Sequence, residues 1–340
     1  MKKAVSHGLR LGLSVIVVIA LVLFARTVNW GATWTAIRSA DRRILVLAIV
    51  VNLASLVLKG VRWWIFLRPV GARSLWLSLK ASFAGAGLNN ILVANGGEAA
   101  RVIFVSRAAH IQSARVLATL ALERMFEVIG YVILLALSAS FLGLPHSIER
   151  MRPVAWVALA GIAVLLVYLV RRPDEPEVIV EKAIGWRARS AAYMRHFLRT
   201  LAGISTGPRF AAAIVLSVAI WALQVGTYAL TAQSAHFALP LVGTVAALLA
   251  VNIGFVVRAT PGNVGLFQAI YALTAVGFGM NKDQAIAVAF LIQAQQIIPV
   301  TLLGVALAPE FIFKRKSVTR ASDHGLDLHS REEDSRGRST

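Results

Sequence analysis

The sequence predicts an all-α polytopic membrane protein, with about eight transmembrane helices and a re-entrant helical hairpin. Its broken helices suit an inverted repeat. Three observations carry this. Of the 340 residues, 58% are hydrophobic and only 15% are charged, whereas soluble domains average about 25% charged. Nearly uncharged runs recur at Leu11–Ala25, Ile44–Leu58, Val128–Leu144 and Val154–Val170, approaching the roughly 20 residues that carry a helix across a bilayer. The short alternating strands of a membrane β-barrel are not visible.

Taken in order, the apolar runs place helices at 9–25, 44–67, 116–142, 153–170, 209–233, 239–257, 263–280 and 285–308. The first follows Lys2, Lys3 and Arg10 as a signal peptide would. No small-x-small cleavage site follows Phe24, so an uncleaved first helix is expected. Residues 77–105 are apolar but interrupted by Asn, Gly, Glu and Arg. They read as two half-helices that enter the membrane and return.

Charge sets the expected orientation. Of the 35 lysines and arginines, 26 lie in segments 1–10, 59–115, 171–209 and 314–340, and 7 in segments 26–43, 145–152, 234–238 and 281–284. Basic residues stay on the cytoplasmic side, so both termini are expected there, in a bacterial inner (cytoplasmic) membrane. The loop bearing Arg26, Arg38, Arg42 and Arg43 runs against the bias. Trp30 and Trp34 near one end of the second helix, and Trp63 and Trp64 near the other, match an interfacial aromatic belt. Segment 178–207 mixes Trp186, Phe197 and Leu201 with arginines. It reads either as a cytoplasmic surface helix or as a solvated linker. Residues 314–340 are polar and read as a disordered cytoplasmic tail, leaving 1–313 as the transmembrane domain.

Several chemistries fall away. The chain has no cysteine, which removes disulfides, thiolate catalysis and Cys-ligated metals. Its seven histidines do not pair at metal-ligand spacing, so neither metal nor cofactor is expected. The net charge of +19 follows from basic cytoplasmic loops, so no nucleic acid is expected as a partner.

Two stretches break the apolar pattern alike. One runs from Leu88 through Asn89, Asn90, Asn95, Gly96, Gly97 and Glu98 to Arg101. The other runs from Arg258 through Thr260, Pro261, Gly262, Asn263 and Gly265 to Gln268. Asn95 suits an N-cap with Glu98 three residues on, as in a capping box. Thr260 suits an N-cap followed by proline. A helix N-terminus at membrane depth presents partial positive charge to an anion, and paired interruptions of this kind mark transporter binding sites. Short loops between packed helices are the plainer alternative. Glu123, Arg124 and Glu127 interrupt another apolar helix. A charge at that depth costs about 2.5–3.5 kcal/mol even on lenient scales, so these must pair, reach the interface or face a polar cavity. Arg124 with Glu127, and Glu98 with Arg101, are each three apart and expected to pair. Glutamines such as Gln224, Gln293, Gln295 and Gln296 suit interhelical hydrogen bonds. Gly85 and Gly87 suit close helix contact.

The stretch from Arg62-Trp63-Trp64 through Asn89-Asn90, Gly97-Glu98 and Arg101 to Leu122-Glu123-Arg124, with Thr260-Pro261-Gly262-Asn263-Val264-Gly265, resembles the flippase-like transmembrane region of lysylphosphatidylglycerol synthases. That region also occurs as a stand-alone membrane protein. The resemblance covers roughly residues 10–310 and implies movement of phospholipid or lipid-linked head groups across the membrane. Two positions depart from the family pattern. Leu92-Val93 stands where Leu-Pro is usual, and Gln268 stands where a glutamate is usual. Synthase members carry a soluble catalytic domain. This chain ends soon after its last apolar run, so lipid synthesis is not expected of it.

A non-enzymatic lipid flippase or transporter is therefore expected. Its partners would be lipid head groups: an anionic or aminoacylated phospholipid, or a lipid-linked glycan. Asn89, Asn90, Asn95, Gly97, Arg101, Arg124, Arg258, Thr260, Gly262, Asn263, Gly265 and Gln268 would bind the head group, with Glu98, Glu123 or Glu127 holding a cationic moiety or coupling proton. Two other readings stay open. One is a scaffold or accessory protein docking a lipid-biosynthesis enzyme. The other is an intramembrane transferase with Glu123 or Glu127 as base.

Overall fold

The computed structural model describes residues 29–91, 96–142, 152–171, 206–237, 239–254 and 263–307, with Arg26 and Arg150. These form the helices α1 (Trp30–Arg38), α2 (Arg42–Leu67), α3 (Leu75–Ile91), α4 (Gly96–Ala108), α5 (Ser113–Phe141), α6 (Arg152–Arg171), α7 (Gly207–Ser234), α8 (Leu241–Gly254), α9 (Leu266–Val276) and α10 (Lys282–Leu307). No strand occurs among the described residues. The helical membrane fold is as expected. Three helices are plainly long and apolar enough to span a bilayer: α2 with its 3-10 extension to Val70, α7 and α10. The expected helix 9–25, the surface segment as far as residue 205 and the tail 314–340 lie outside the described residues.

Hydrocarbon as solvent inverts the usual packing. Val46, Leu47 and Val50 of α2, Val157 and Val164 of α6, Val215 of α7 and Leu302 of α10 are exposed. In water so much apolar surface would drive association; in a bilayer it meets its own kind. The interior packs aromatics such as Trp63, Phe66 and Phe126 together with small and hydroxyl side chains, including Ser55, Ser78, Thr119, Ser217, Thr227 and Thr231. Many hydroxyls bond back to their own helix. Ser217 donates to the Ala213 carbonyl at 2.7 Å and Thr231 to that of Thr227 at 2.7 Å. These hydroxyls are thereby satisfied without water.

Local capping sets the helix starts. The Asp41 carboxylate accepts from the Arg43 N–H at 2.8 Å and the Ile44 N–H at 3.4 Å, opening α2. Asn29 opens α1 by accepting from the Ala32 N–H at 3.1 Å, while its own N–H donates to Asp283 Oδ1 at 3.1 Å. This ties α1 to the first turn of α10. The sequence reading had 26–43 as a loop; α1 corrects it. Nine residues capped by one asparagine leave no long apolar run to notice. At the far end of α2, Pro69 within Arg68–Val70 and Gly71 at φ 112 turn the chain sharply into α3.

The two half-helices expected within 77–105 are present as α3 and α4, separated by the undescribed residues 92–95. They pack closely. A Cβ on Gly97 would lie 2.0 Å from the Gly85 carbonyl oxygen, and one on Gly85 would lie 2.2 Å from Arg101 Cγ. On its other side α3 meets α10 through glycines, where a Cβ on Gly87 would lie 2.9 Å from the Gly304 Cα. Such contacts let membrane helices approach without a hydrophobic driving force. α7 lies along α2, and α6 packs on α5.

Gly87→Leu should therefore disrupt the α3–α10 contact at a cost of about 1–3 kcal/mol, typical of overpacking. Gly161→Leu on α6 should be neutral, since a Cβ there meets nothing within 4 Å. Thermal unfolding in detergent should show a lower midpoint for the first variant only. Equal midpoints would mean that the α3–α10 packing is not required.

Candidate functional site

Six helices line one cavity of about 600 Å³ whose wall mixes polar side chains with apolar ones such as Leu56, Val128, Ile220, Trp221 and Val300. Asn52, Ser55, Lys59 and Arg62 of α2 line it, with Asn90 of α3, Arg124, Glu127 and Tyr131 of α5, Gln224 and Tyr228 of α7, Asn252 of α8 and Gln296 of α10. On α2 the lining positions are spaced three, four and three apart, which puts them on one helical face. The helices that run into both sequence breaks reach this cavity. Asn90 lies in the last turn before the undescribed residues 92–95, and Asn252 in the last turn before 255–262.

One half of the cavity is charged. Glu127 Oε1 lies 3.4 Å from Lys59 Nζ and 3.8 Å from Arg62 Nη2. Its other oxygen accepts from Arg124 Nη1, and Arg124 Nη2 donates to Glu98. One carboxylate thus gathers cations from α2 and α5, and Arg124 carries the network to α4. Arg62 is fully buried. Its Nη1 donates to Ser217 Oγ at 2.7 Å, while its Nε and Nη2 have no hydrogen-bond partner among the described residues. Lys59, Arg62 and Arg124 against Glu98 and Glu127 leave an excess of one positive charge.

A second ion pair is sealed away from the cavity. Arg101 Nη2 donates to Glu123 Oε2 at 2.7 Å and to Ser82 Oγ at 3.3 Å. Arg101 is 6% exposed and Glu123 2%. The guanidinium carbon stacks 4.1 Å from the centre of the Trp63 ring, whose Nε1 donates to Thr119 at 3.0 Å. Gly85 makes room for the Arg101 stem. This pair, cation–π contact and hydrogen bond lock the α3–α4 hairpin to α2 and α5.

The other half of the cavity carries carboxamides and hydroxyls. Gln296 Nε2 donates to Gln224 Oε1 at 3.3 Å, Gln224 Nε2 to Ser55 Oγ at 2.9 Å, and Ser55 to the Asn52 carbonyl at 2.7 Å. Asn90 Nδ2 donates to Thr301 Oγ1 at 3.1 Å. Tyr131 donates to the Leu249 carbonyl at 3.2 Å.

Of the site residues expected from sequence, Asn90, Arg124 and Glu127 line the cavity, and Glu98 reaches it through Arg124. Asn95, Arg258, Thr260 and Gly262 lie outside the described residues. Others take structural places instead. The expected Glu98–Arg101 pair is exchanged for Glu98–Arg124 and Arg101–Glu123, because Arg101 turns inward across Gly85. Asn89 Oδ1 accepts from the Gly97 N–H at 2.9 Å, so that amide is capped from α3 and not left for a ligand. Gln268 is 1% exposed and away from the cavity wall. Its Oε1 accepts from the Gly265 N–H at 2.6 Å and its Nε2 donates to Gln293 at 2.6 Å. A carboxamide serves both ends of that link, whereas a carboxylate could only accept. Asn263, at φ 54, and Gly265, at φ 88, form the turn into α9, and Asn263 Oδ1 is buried without a partner among the described residues.

Asn52, Ser55, Lys59, Arg62, Tyr131, Tyr228 and Asn252 were missed as lining residues. The signal for four of them was the single-face spacing along α2, hidden in a run otherwise apolar. A lysine at such depth is a functional candidate by default.

Residues 10–304 match the family described as the lysylphosphatidylglycerol synthase TM region. The UPF0104 membrane protein of Pyrococcus horikoshii is 29% identical over 130 residues, 36% of this chain and 39% of that protein. The chain thus spans well under half the length of that relative.

Arg101→Ala should leave Glu123 buried and unpaired, a loss of about 3–5 kcal/mol. Replacing both by leucine should recover part of it. Thermal unfolding of the single and double variants in detergent reads this directly. A single variant as stable as wild type would show that the pair does not hold the hairpin.

Proposed function

From the premise that the chain belongs to the lysylphosphatidylglycerol synthase TM region family, we propose that it is a lipid flippase that receives a phosphate-bearing head group in the six-helix cavity. The observation that carries this is the buried Arg62, whose Nε and Nη2 have no hydrogen-bond partner among the described residues, Nη2 lying 3.8 Å from Glu127, beside Lys59 and Arg124 in a cavity with surplus positive charge. A phosphate supplies acceptor oxygens and negative charge together. Head groups would pass while tails stay in the surrounding hydrocarbon, with one set of helices rocking against the other about the cavity. A transport role rather than catalysis fits the carboxylates: Glu98, Glu123 and Glu127 are each held by arginine or lysine, so none stands as a free base.

The membrane is read as a bacterial inner membrane with both termini cytoplasmic, supported by the distribution of basic residues. The chain has no native cysteine, so single cysteines give clean topology labels. Ser6→Cys and Ser335→Cys should react with an impermeant maleimide only after permeabilisation, and Ser39→Cys before it. The opposite pattern would reverse the orientation.

Arg62→Ala and Lys59→Ala should each slow head-group translocation in reconstituted vesicles by about tenfold or more, the scale for losing a charge-assisted hydrogen bond. Circular dichroism would confirm that both variants fold. Unchanged rates in folded variants would remove the cavity from the transport path.

A further inference from the structure

The cavity is divided, and the division bears on which head group it takes. Charge gathers at Lys59, Arg62, Arg124 and Glu127, and neutral polar groups at Asn52, Gln224, Asn252 and Gln296. Along α2, Asn52 and Arg62 are ten residues apart, about 15 Å of helix rise. The neutral half is wired as a relay from Gln296 through Gln224 and Ser55 to the backbone of Asn52. That relay fixes the direction of the glutamine amides. Asn252 spends its Nδ2 on the Leu248 carbonyl at 2.8 Å. The Asn52 carboxamide, Gln296 Oε1 and Asn252 Oδ1 then take no hydrogen-bond partner among the described residues.

We infer that this carboxamide half is a subsite for a neutral polyhydroxyl group. The preferred lipid is then a phosphodiester carrying a polyol, with its phosphate at Lys59, Arg62 and Arg124. The inference rests on the proposed function and narrows its substrate class. A hydroxyl both donates and accepts, and carboxamides offer both partners. An ammonium group only donates, and among the described residues the neutral half holds no carboxylate to balance its charge. The nearest carboxylate, Glu127, is already shared by Lys59, Arg62 and Arg124. With the phosphate cancelling the surplus charge at Lys59, Arg62 and Arg124, an aminoacylated head group would place a cation among neutral groups with no counter-ion left for it.

The test uses the full chain in detergent and in vesicles, with lipids of one tail composition: phosphatidylglycerol, phosphatidic acid, a neutral glycosyl diacylglycerol and lysyl-phosphatidylglycerol. Binding is read by native mass spectrometry and movement by head-group accessibility. Phosphatidylglycerol should be retained about tenfold better than phosphatidic acid, the worth of one or two net hydrogen bonds. It should also exceed the neutral glycolipid and the lysyl lipid. In Asn52→Ala and Gln296→Leu the ratio of phosphatidylglycerol to phosphatidic acid should fall toward one while phosphatidic acid retention holds. Taking a ratio removes any difference in the amount of folded protein. Equal retention of phosphatidylglycerol and phosphatidic acid, or preference for the lysyl lipid, overturns the subsite. Preferential binding without movement upholds the subsite and overturns the flippase reading. Movement without polyol preference does the reverse.

Discussion

The carboxylate of Glu127 sets the terms for the centre of this molecule. Lys59 and Arg62 on α2 and Arg124 on its own helix converge on it, and Arg124 carries the charge onward to Glu98 of α4. Arg62 is fully buried and would be expensive alone. The positions of these groups along separate helices are therefore mutually constrained. α2, α4 and α5 can shift relative to one another only if the ions exchange partners together. The Arg101–Glu123 pair adds a second tie among the same elements, buried and outside the cavity lining.

The two ion systems differ in what surrounds them. Arg101 and Glu123 balance one for one, with Trp63 stacked on the guanidinium and Ser82 accepting from it, as a structural pair should. The Glu127 system is unbalanced, lines the cavity, and holds an arginine with two donors that have no hydrogen-bond partner among the described residues. Buried donors normally find partners. Adjacent residues of one helix, Glu123 and Arg124, thus end in opposite circumstances, one locked and one facing the cavity. Spacing on a helix makes this possible, since neighbours point about 100° apart.

The sequence made the class, the long helices and the hairpin legible, because hydropathy and glycine placement are local signals read against the bilayer's thickness. It also showed that Glu123, Arg124 and Glu127 needed partners. It could not show which partners, since Glu98 lies as close in sequence to Arg101 as Glu127 does to Arg124, and only one of those pairs forms. The choice was made by Gly85, whose missing side chain admits the Arg101 stem. Helix α1 was hidden because its nine residues are far too short to register as a membrane span. Gln268 looked like a weakened ligand, yet its environment asks for a group that donates and accepts at once, a demand set by Gly265 and Gln293 and readable only in three dimensions.

Three cations lining one cavity would be hard to keep inside a membrane, and here Glu127 makes them tenable as an internal counter-ion. In the proposed cycle an arriving phosphate competes for the same guanidinium and ammonium groups. If it displaces Glu127 from Arg62 and Lys59, the charge balance near the phosphate is kept, but the tie between α2 and α5 is loosened. Occupancy and helix contact are then alternatives drawing on one set of donors. A ligand shifts a conformational equilibrium only through unequal interaction with its states, and competition with Glu127 supplies such an inequality. It also tempers affinity, because each new contact is gained against one already made. A carrier needs that property, since its cargo must leave as readily as it arrives.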